Sequence, residues 1–322
     1  MTPPIQPELR PTRRAQTAPS TRLEQLGLQS LPVAFGLAGI GGAWGPVDAG
    51  VARETLAQAI EFGLTAFDVA PSYGTAEKLL GEALASRPGL RPVISTKIGR
   101  LASLDGTPDS RYDYTPGGIR ATLEQSLATL GVPQVDLLFV HEPELVPVGE
   151  RARVVATLRQ LQADGLTRRL GLAGGHGAGW DRYIESGVFE VVMLFRRLDA
   201  CILDGLAEDV PRVRRAGMAT YGASPLHMGL LGSRYEEFVH GGRNWVWPQA
   251  ITRALELHAL AERKGLSLPM LAHRFLFSVA EIDRVVIGAR NPAELADAWA
   301  AWRAGPLPAE LFAEVCSPGP AP

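Results

Sequence analysis

The chain is poor in cysteine and lysine and has no long apolar run. Its 322 residues include only two cysteines, Cys201 and Cys316. Two thiols so far apart in sequence suggest neither a disulfide framework nor a zinc site, and they fit a reducing cytoplasm. No stretch approaches the roughly 20 apolar residues of a membrane span. The net charge is only −2, and no basic stripe interleaved with aromatics occurs, which argues against nucleic acid as a partner. No clustered His and Asp ligands are visible either, so metal-dependent hydrolysis lacks its ligand set, and no metal is expected.

What is present is a large apolar fraction, 46% of residues, enough for a sizeable core. Short β-rich runs alternate with longer helical patterns, the mark of βα units around a parallel sheet. The expected strands are Val33–Ala38, Thr65–Ala70, Pro92–Lys97, Val135–Val140, Arg168–Leu172, Phe189–Leu194, Met218–Tyr221 and Arg284–Ile287. Eight such strands close a (β/α)8 barrel, the TIM barrel, as a single domain. Helical patterns fall at 49–62, behind Asp48 as N-cap, and at 75–85. A third starts at Thr115-Pro116 and stops near Gly131, and others cover 151–164, 202–216, 248–263, 267–279 and 292–303.

The barrel is expected over 22–304, between a flexible Pro-, Thr- and Arg-rich tail at 1–21 and a tail at 305–322. Arg13-Arg14 invites a twin-arginine export reading, but Arg22, Glu24 and Pro32 interrupt that signal. The apolar run after it sits where the first strand is required. Two longer connections, Gly99–Thr115 and Gly222–Pro248, follow strand ends and belong at the barrel mouth. Their aromatics, Tyr112, Tyr114, Trp245 and Trp247, read first as loop packing and second as pocket lining.

All but three of the 32 basic residues are arginine, the exceptions being Lys78, Lys97 and Lys264. A chain that has almost abandoned lysine keeps one at the end of the apolar strand Val93-Ile94-Ser95-Thr96-Lys97, where a compact, tunable amine differs most from a guanidinium. Asp68 ends the preceding strand. A carboxylate there is costly to bury unless paired, and adjacent strands lie about 4.8 Å apart. His141 ends the fourth strand, and Tyr73 sits on the turn after Asp68. Singly, each has an ordinary structural explanation as a surface lysine, a helix cap, a packed histidine or a turn tyrosine. Together they bring an acid, an amine, an imidazole and a phenol to one rim. That set suits carbonyl reduction, because an ammonium lowers a phenol's pKa from near 10 and an aspartate holds the ammonium.

At these residues the chain resembles the aldo-keto reductase superfamily. Phe67-Asp68-Val69-Ala70-Pro71-Ser72-Tyr73-Gly74 is similar to its Asp-Thr-Ala-x-x-Tyr-Gly signature, with Val69 in the threonine place. Ser95-Thr96-Lys97 resembles the strand-end lysine motif, and Ser126-Leu127 through Val135-Asp136-Leu137-Leu138 to His141 resembles the Ser-Leu … Asp-Leu-x-x-x-His block. Ala223-Ser224-Pro225-Leu226-His227-Met228-Gly229 is similar to the cofactor loop, in a form close to the aldose and galactose dehydrogenase branch. Ile287-Gly288-Ala289-Arg290 followed by Glu294 resembles the segment that grips adenosine. The likeness spans 22–303.

The resemblance implies a nicotinamide cofactor and a small-molecule carbonyl or sugar substrate, with no metal. It makes Tyr73 the proton donor, Lys97 and Asp68 its tuners, and His141 the group that orients the carbonyl. Ser224, Pro225, Leu226, Gly229, Gly288, Arg290 and Glu294 become the cofactor-binding residues. Glu294 stands where NADP-preferring members place arginine, which tilts the choice to NAD over NADP, while Arg290 argues the opposite. The family's nicotinamide-carboxamide partners are missing, since Ala173, Gly174 and Met193 occupy their places and Ala223 replaces a stacking aromatic. Backbone groups, His176, Arg196 and Arg197 are the available substitutes. The competing expectation is a catalytically weak dinucleotide-binding barrel with a regulatory or structural role. Nothing in these motifs specifies the oligomeric state.

Overall fold

A computed structural model describes residues 20–102, 111–241 and 246–317. Trp245 lies outside them, as do the twin-arginine pair and the rest of segments 1–19 and 318–322. Eight parallel strands close a barrel, each hydrogen-bonded to its neighbours in chain order. They are β1 (Val33–Gly36), β2 (Ala66–Asp68), β3 (Val93–Ile98), β4 (Val135–His141), β5 (Thr167–Ala173), β6 (Val191–Phe195), β7 (Ala219–Ala223) and β8 (Arg284–Gly288). This is the expected (β/α)8 architecture. Several boundaries differ because a ladder runs on while both neighbours stay extended. Ala223, for instance, pairs with Phe195 on one side and Val286 on the other, which carries β7 past Tyr221.

The helices form where capping chemistry permits. Asp48 accepts the N–H groups of Gly50 and Val51 and starts Ala49–Glu61. Thr115 accepts from Gly118, Pro116 opens the helix, and Gly131 at φ 68° closes Pro116–Leu130. The 202–216 pattern resolves into a π-helical turn, Gly205–Asp209, leading into Val210–Arg215. The sequence reading has no helix after β5. The structure has a short one, Asp181–Glu185, behind a glycine-rich loop too irregular to show a period.

Two cores result from the strand alternation. Outward residues pack under the helices. Inward ones, among them Ala34, Ala66, Leu137, Phe139, Val191, Tyr221 and Val286, fill the barrel with Leu23 and Leu28. Those two leucines come from the helix Thr21–Gln25 and the turn after it, which plug the N-terminal end of the barrel. Burying each contributes about 1.5–3 kcal/mol. Below them, buried Arg284 donates to the Tyr221 hydroxyl at 2.5 Å, the Leu28 carbonyl at 2.6 Å and Ser30 Oγ at 2.7 Å.

Packed structure is found within both segments expected as tails. Buried Ser20 hydrogen-bonds Asp283, so the packed fold begins by residue 20. At the other end, helix Ala309–Cys316 buries Leu311, Phe312 and Val315, with Phe312 stacked on Phe275 at 5.4 Å. Three apolar positions on one face of a helix seek cover, and the outer core supplies it.

Candidate active site

The strand register sets the rim. Asp68 lies opposite both Gly36 and Ser95, Lys97 opposite Phe139, and His141 opposite Ala173. Side chains two residues apart share a face, so Ser95 and Lys97 both point into the barrel. Asp68 receives Lys97 Nζ on Oδ2 at 2.6 Å and Ser95 Oγ on Oδ1 at 2.7 Å, and Lys97 also donates to the Val69 carbonyl at 3.0 Å. Asp68, Ser95 and Lys97 are all buried, with Lys97 only 1% exposed.

Tyr73 stands over this pair. The Lys97 ammonium lies 4.6 Å from the phenol ring centroid. The Tyr73 and His141 rings meet edge to face at 5.7 Å and 87°. Tyr73 owes its place to two close backbone approaches. A Cβ on Gly41 would come within 2.2 Å of the Tyr73 carbonyl oxygen, and a Cβ on Gly74, at φ 57°, within 2.3 Å of the Gly41 carbonyl oxygen. Thr75 N–H donates to that Gly41 carbonyl at 2.9 Å, locking the turn.

The electrostatics amend one expectation. Burial pushes the Tyr73 phenol up, and the downward pull of the Lys97 ammonium does not cancel it. In the free protein the phenol therefore lies above, not below, its ordinary value. Burial draws Lys97 down, but the Asp68 carboxylate and Tyr73 more than compensate and the net shift is upward. His141 is held well below its usual value by burial and then by the charges of Lys97 and Arg100, so it is neutral at neutral pH. Its Nδ1 is buried without a hydrogen-bond partner, an orphaned polar atom at the barrel mouth.

Several residues support this rim in ways that the motifs do not specify. Ser95 fixes the second oxygen of Asp68, and the period-2 spacing from Lys97 was the signal for it. Tyr114 donates to the His141 carbonyl at 2.7 Å and so ties the end of β4. Glu142, left-handed at φ 52°, accepts Arg100 at 3.1 Å and the Tyr112 hydroxyl at 2.7 Å. Burial and that carboxylate push Tyr112 up to about 12.

The expected cofactor residues lie on the same rim. Gly36 pairs with both Asp68 and Gly288, which carries the level of the site across β1 to β8. Gly288 is exposed, and a Cβ there would meet nothing nearer than the Gly36 carbonyl at 4.0 Å, leaving the end of β8 open. Past β7, Ser224 (φ 61°) and Gly229 (φ 99°) turn the chain, and Ser224 Oγ accepts Met228 N–H at 3.1 Å. Asn291 caps the following helix by accepting Glu294 N–H, and Glu294 accepts the N–H of Arg290 just before that cap, both at 2.9 Å, which fixes the Glu294 carboxylate. The Arg290 guanidinium reaches the Pro46 carbonyl at 3.2 Å. An open strand end, a turn rich in backbone groups and an orphaned histidine nitrogen fit a dinucleotide with its substrate.

Where a carboxamide needs partners, the lining is apolar. Ala173, Met193 and Ala223 are buried inward residues beside half-buried Phe195. The substitute side chains make contacts of their own. His176 Nδ1 turns to the Gly174 carbonyl at 3.0 Å, Arg197 is held by Asp209 at 2.8 Å, and Arg196 lies over the Trp247 ring at 5.9 Å. Among the described residues no group of three or more His, Cys, Asp or Glu side chains is placed to hold a metal, and no helix is long and apolar enough to cross a membrane.

A closed parallel barrel carrying such a rim defines a class of single-barrel oxidoreductases. The model of the aldo/keto reductase family matches residues 32–317, and the chain belongs to that family of NAD(P)-dependent oxidoreductases. It is similar to D-threo-aldose 1-dehydrogenase of a Pseudomonas species, 26% identical over 94% of this chain and 97% of that one. It is also similar to the NADH-specific methylglyoxal reductase of Escherichia coli K12, 28% identical over 80% of this chain and 84% of that one. The holo aldo-keto reductase structure from Bacillus halodurans shares the fold at a TM-score of 0.73 and 21% identity, covering 89% of this chain and 91% of that one.

Proposed function

We propose that the protein interconverts an aldehyde, ketone or aldose with the corresponding alcohol or lactone, using Tyr73 as the general acid and base. A bound nicotinamide supplies or takes the hydride. The protein's own groups manage the proton and the charge. As negative charge grows on the substrate oxygen, the Tyr73 hydroxyl donates its proton there, and the Lys97 ammonium stabilises the phenolate left behind. Asp68 and Ser95 hold that ammonium in place. Neutral His141 offers a ring N–H to the same oxygen and orients the carbonyl.

The observation that carries this reading is the buried Lys97 touching both the Asp68 carboxylate and the Tyr73 ring. A buried ion pair is a poor source of stability, so a role in tuning the adjacent phenol explains it better. Ser224, Pro225, Leu226 and Gly229 would hold the cofactor phosphates, and Gly288, Arg290 and Glu294 the adenosine end. NAD is favoured over NADP because the Arg290 N–H fixes the Glu294 negative charge beside the place of a 2′-phosphate. The substrate is a small carbonyl compound or sugar. The aldose dehydrogenase relative supports the sugar side of that range.

The apolar lining at Ala173, Met193 and Ala223 favours a second reading, a slow barrel whose bound dinucleotide acts as a ligand. An absorbance screen over aldoses, ketones and aldehydes with both dinucleotides separates the two. Turnover of at least one class supports the enzyme, and uniform inactivity with intact dinucleotide binding supports the second reading.

A further inference from the structure

We infer that a buried His227–Asp199 pair is the brace that holds the β7 loop in its ligand-binding shape. This inference rests on the proposed dinucleotide role of that loop. Between Ser224 and Gly229 the backbone takes left-handed φ at Ser224 (61°), His227 (45°), Met228 (59°) and Gly229 (99°). Three of these are not glycine, and such a run persists only where its surroundings over-determine it. One brace is internal, from Ser224 Oγ to Met228 N–H. The other crosses to a different loop.

His227 and Asp199 are each 1% exposed, and His227 Nδ1 lies 2.7 Å from Asp199 Oδ2. A carboxylate only accepts, so Nδ1 carries the hydrogen and donates it. The Asp199 carboxylate cannot swing away, because its other oxygen accepts the N–H groups of Cys201 at 2.7 Å and Ile202 at 3.1 Å. Asp199 and Ile202 also exchange backbone hydrogen bonds across the same turn. The loop after β6 thus presents a fixed acceptor, and His227 plugs the loop after β7 into it. Neither side chain reaches the surface, so the pair acts through Ser224, Pro225, Leu226 and Gly229. His227 and Asp199 are positioning residues for dinucleotide binding.

The test separates the donor from the backbone. Asparagine and glycine both accept a left-handed φ, but only the asparagine amide nitrogen replaces Nδ1 at the same distance from Cα. NADH and NADPH affinities are measured by quenching of tryptophan fluorescence, alongside Tm, kcat at saturating dinucleotide, and hydrogen exchange of amides 224–230. His227→Asn stays within about threefold of wild type in affinity. His227→Gly and Asp199→Leu each weaken binding about tenfold or more, with faster exchange in that loop and the effect falling on affinity rather than on kcat. If both bind like wild type, the brace is refuted and the functional reading stands. A lowered Tm with unchanged affinity of the folded protein refutes it too, as does a His227→Asn variant no better than His227→Gly. Wild-type protein that binds neither dinucleotide overturns the functional reading and this inference together.

Discussion

Lys97 and Tyr73 meet at the rim of the barrel, with the ammonium 4.6 Å from the centre of the phenol ring. The amine reaches that position because Asp68 takes its other side and because β2 and β3 are paired neighbours in the barrel. The first prediction concerns this support. Lys97→Met leaves the buried Asp68 carboxylate without its cation, so the fold loses about 3–5 kcal/mol, read as a fall in Tm. Turnover is lost as well. Asp68→Asn keeps the shape but leaves the buried Lys97 ammonium without its counter-charge, so Tm falls here too, and turnover drops by at least about tenfold because the ammonium is no longer fixed.

Placement of Tyr73 depends on bare backbone at Gly41. Gly41→Ala puts a methyl 2.2 Å from the Tyr73 carbonyl oxygen, so the turn must shift. Misplacing a reacting group by about 1 Å costs about a hundredfold in rate. The expected result is that loss in kcat with a folded barrel by circular dichroism.

The pH dependence follows from two shifts of opposite sense. Tyr73 is raised above its ordinary value of 10 by burial, so its proton is retained through neutral and mildly alkaline pH. Carbonyl reduction in the absence of an oxidised cofactor's charge should therefore hold up to about pH 10, and the oxidation direction, which needs the phenolate, should rise with pH. Rate profiles measured in both directions check this.

Acid stability carries the other sign. His141, His176 and His273 are lowered by burial, His273 to about 4. Below their ordinary value of 6.5 the unfolded chain takes up protons that the fold refuses. Their contribution is complete above that value and is lost progressively as pH falls, for His273 as it approaches about 4. At pH 4, His273 alone accounts for about 3 kcal/mol. Replacing it with leucine should flatten the fall of Tm over that window, and an unchanged slope would count against the assignment.

Much of this architecture was legible in the sequence, because strand-end chemistry is written next to period-2 apolar runs. Asp68, Lys97 and His141 each close such a run, and all three reach one rim as expected. Tyr73 was legible from its turn but not from its electrostatics, since burial depends on groups distant in sequence such as Gly41. The short helix after β5 was hidden by a glycine-rich loop, and the packed C-terminal helix by the lack of a strand before it. Tyr114, which ties down the His141 carbonyl from a residue 27 positions away, has no local signature at all. The His227–Asp199 contact is of the same kind.

The most direct test of the account is single-turnover hydride transfer by Tyr73→Phe, with dinucleotide affinity measured in parallel on a carbonyl substrate found by the screen. The account predicts that transfer is abolished while the dinucleotide binds as tightly as to wild type. Transfer at a near-normal rate in the phenylalanine variant would contradict it, because the proton would then come from elsewhere.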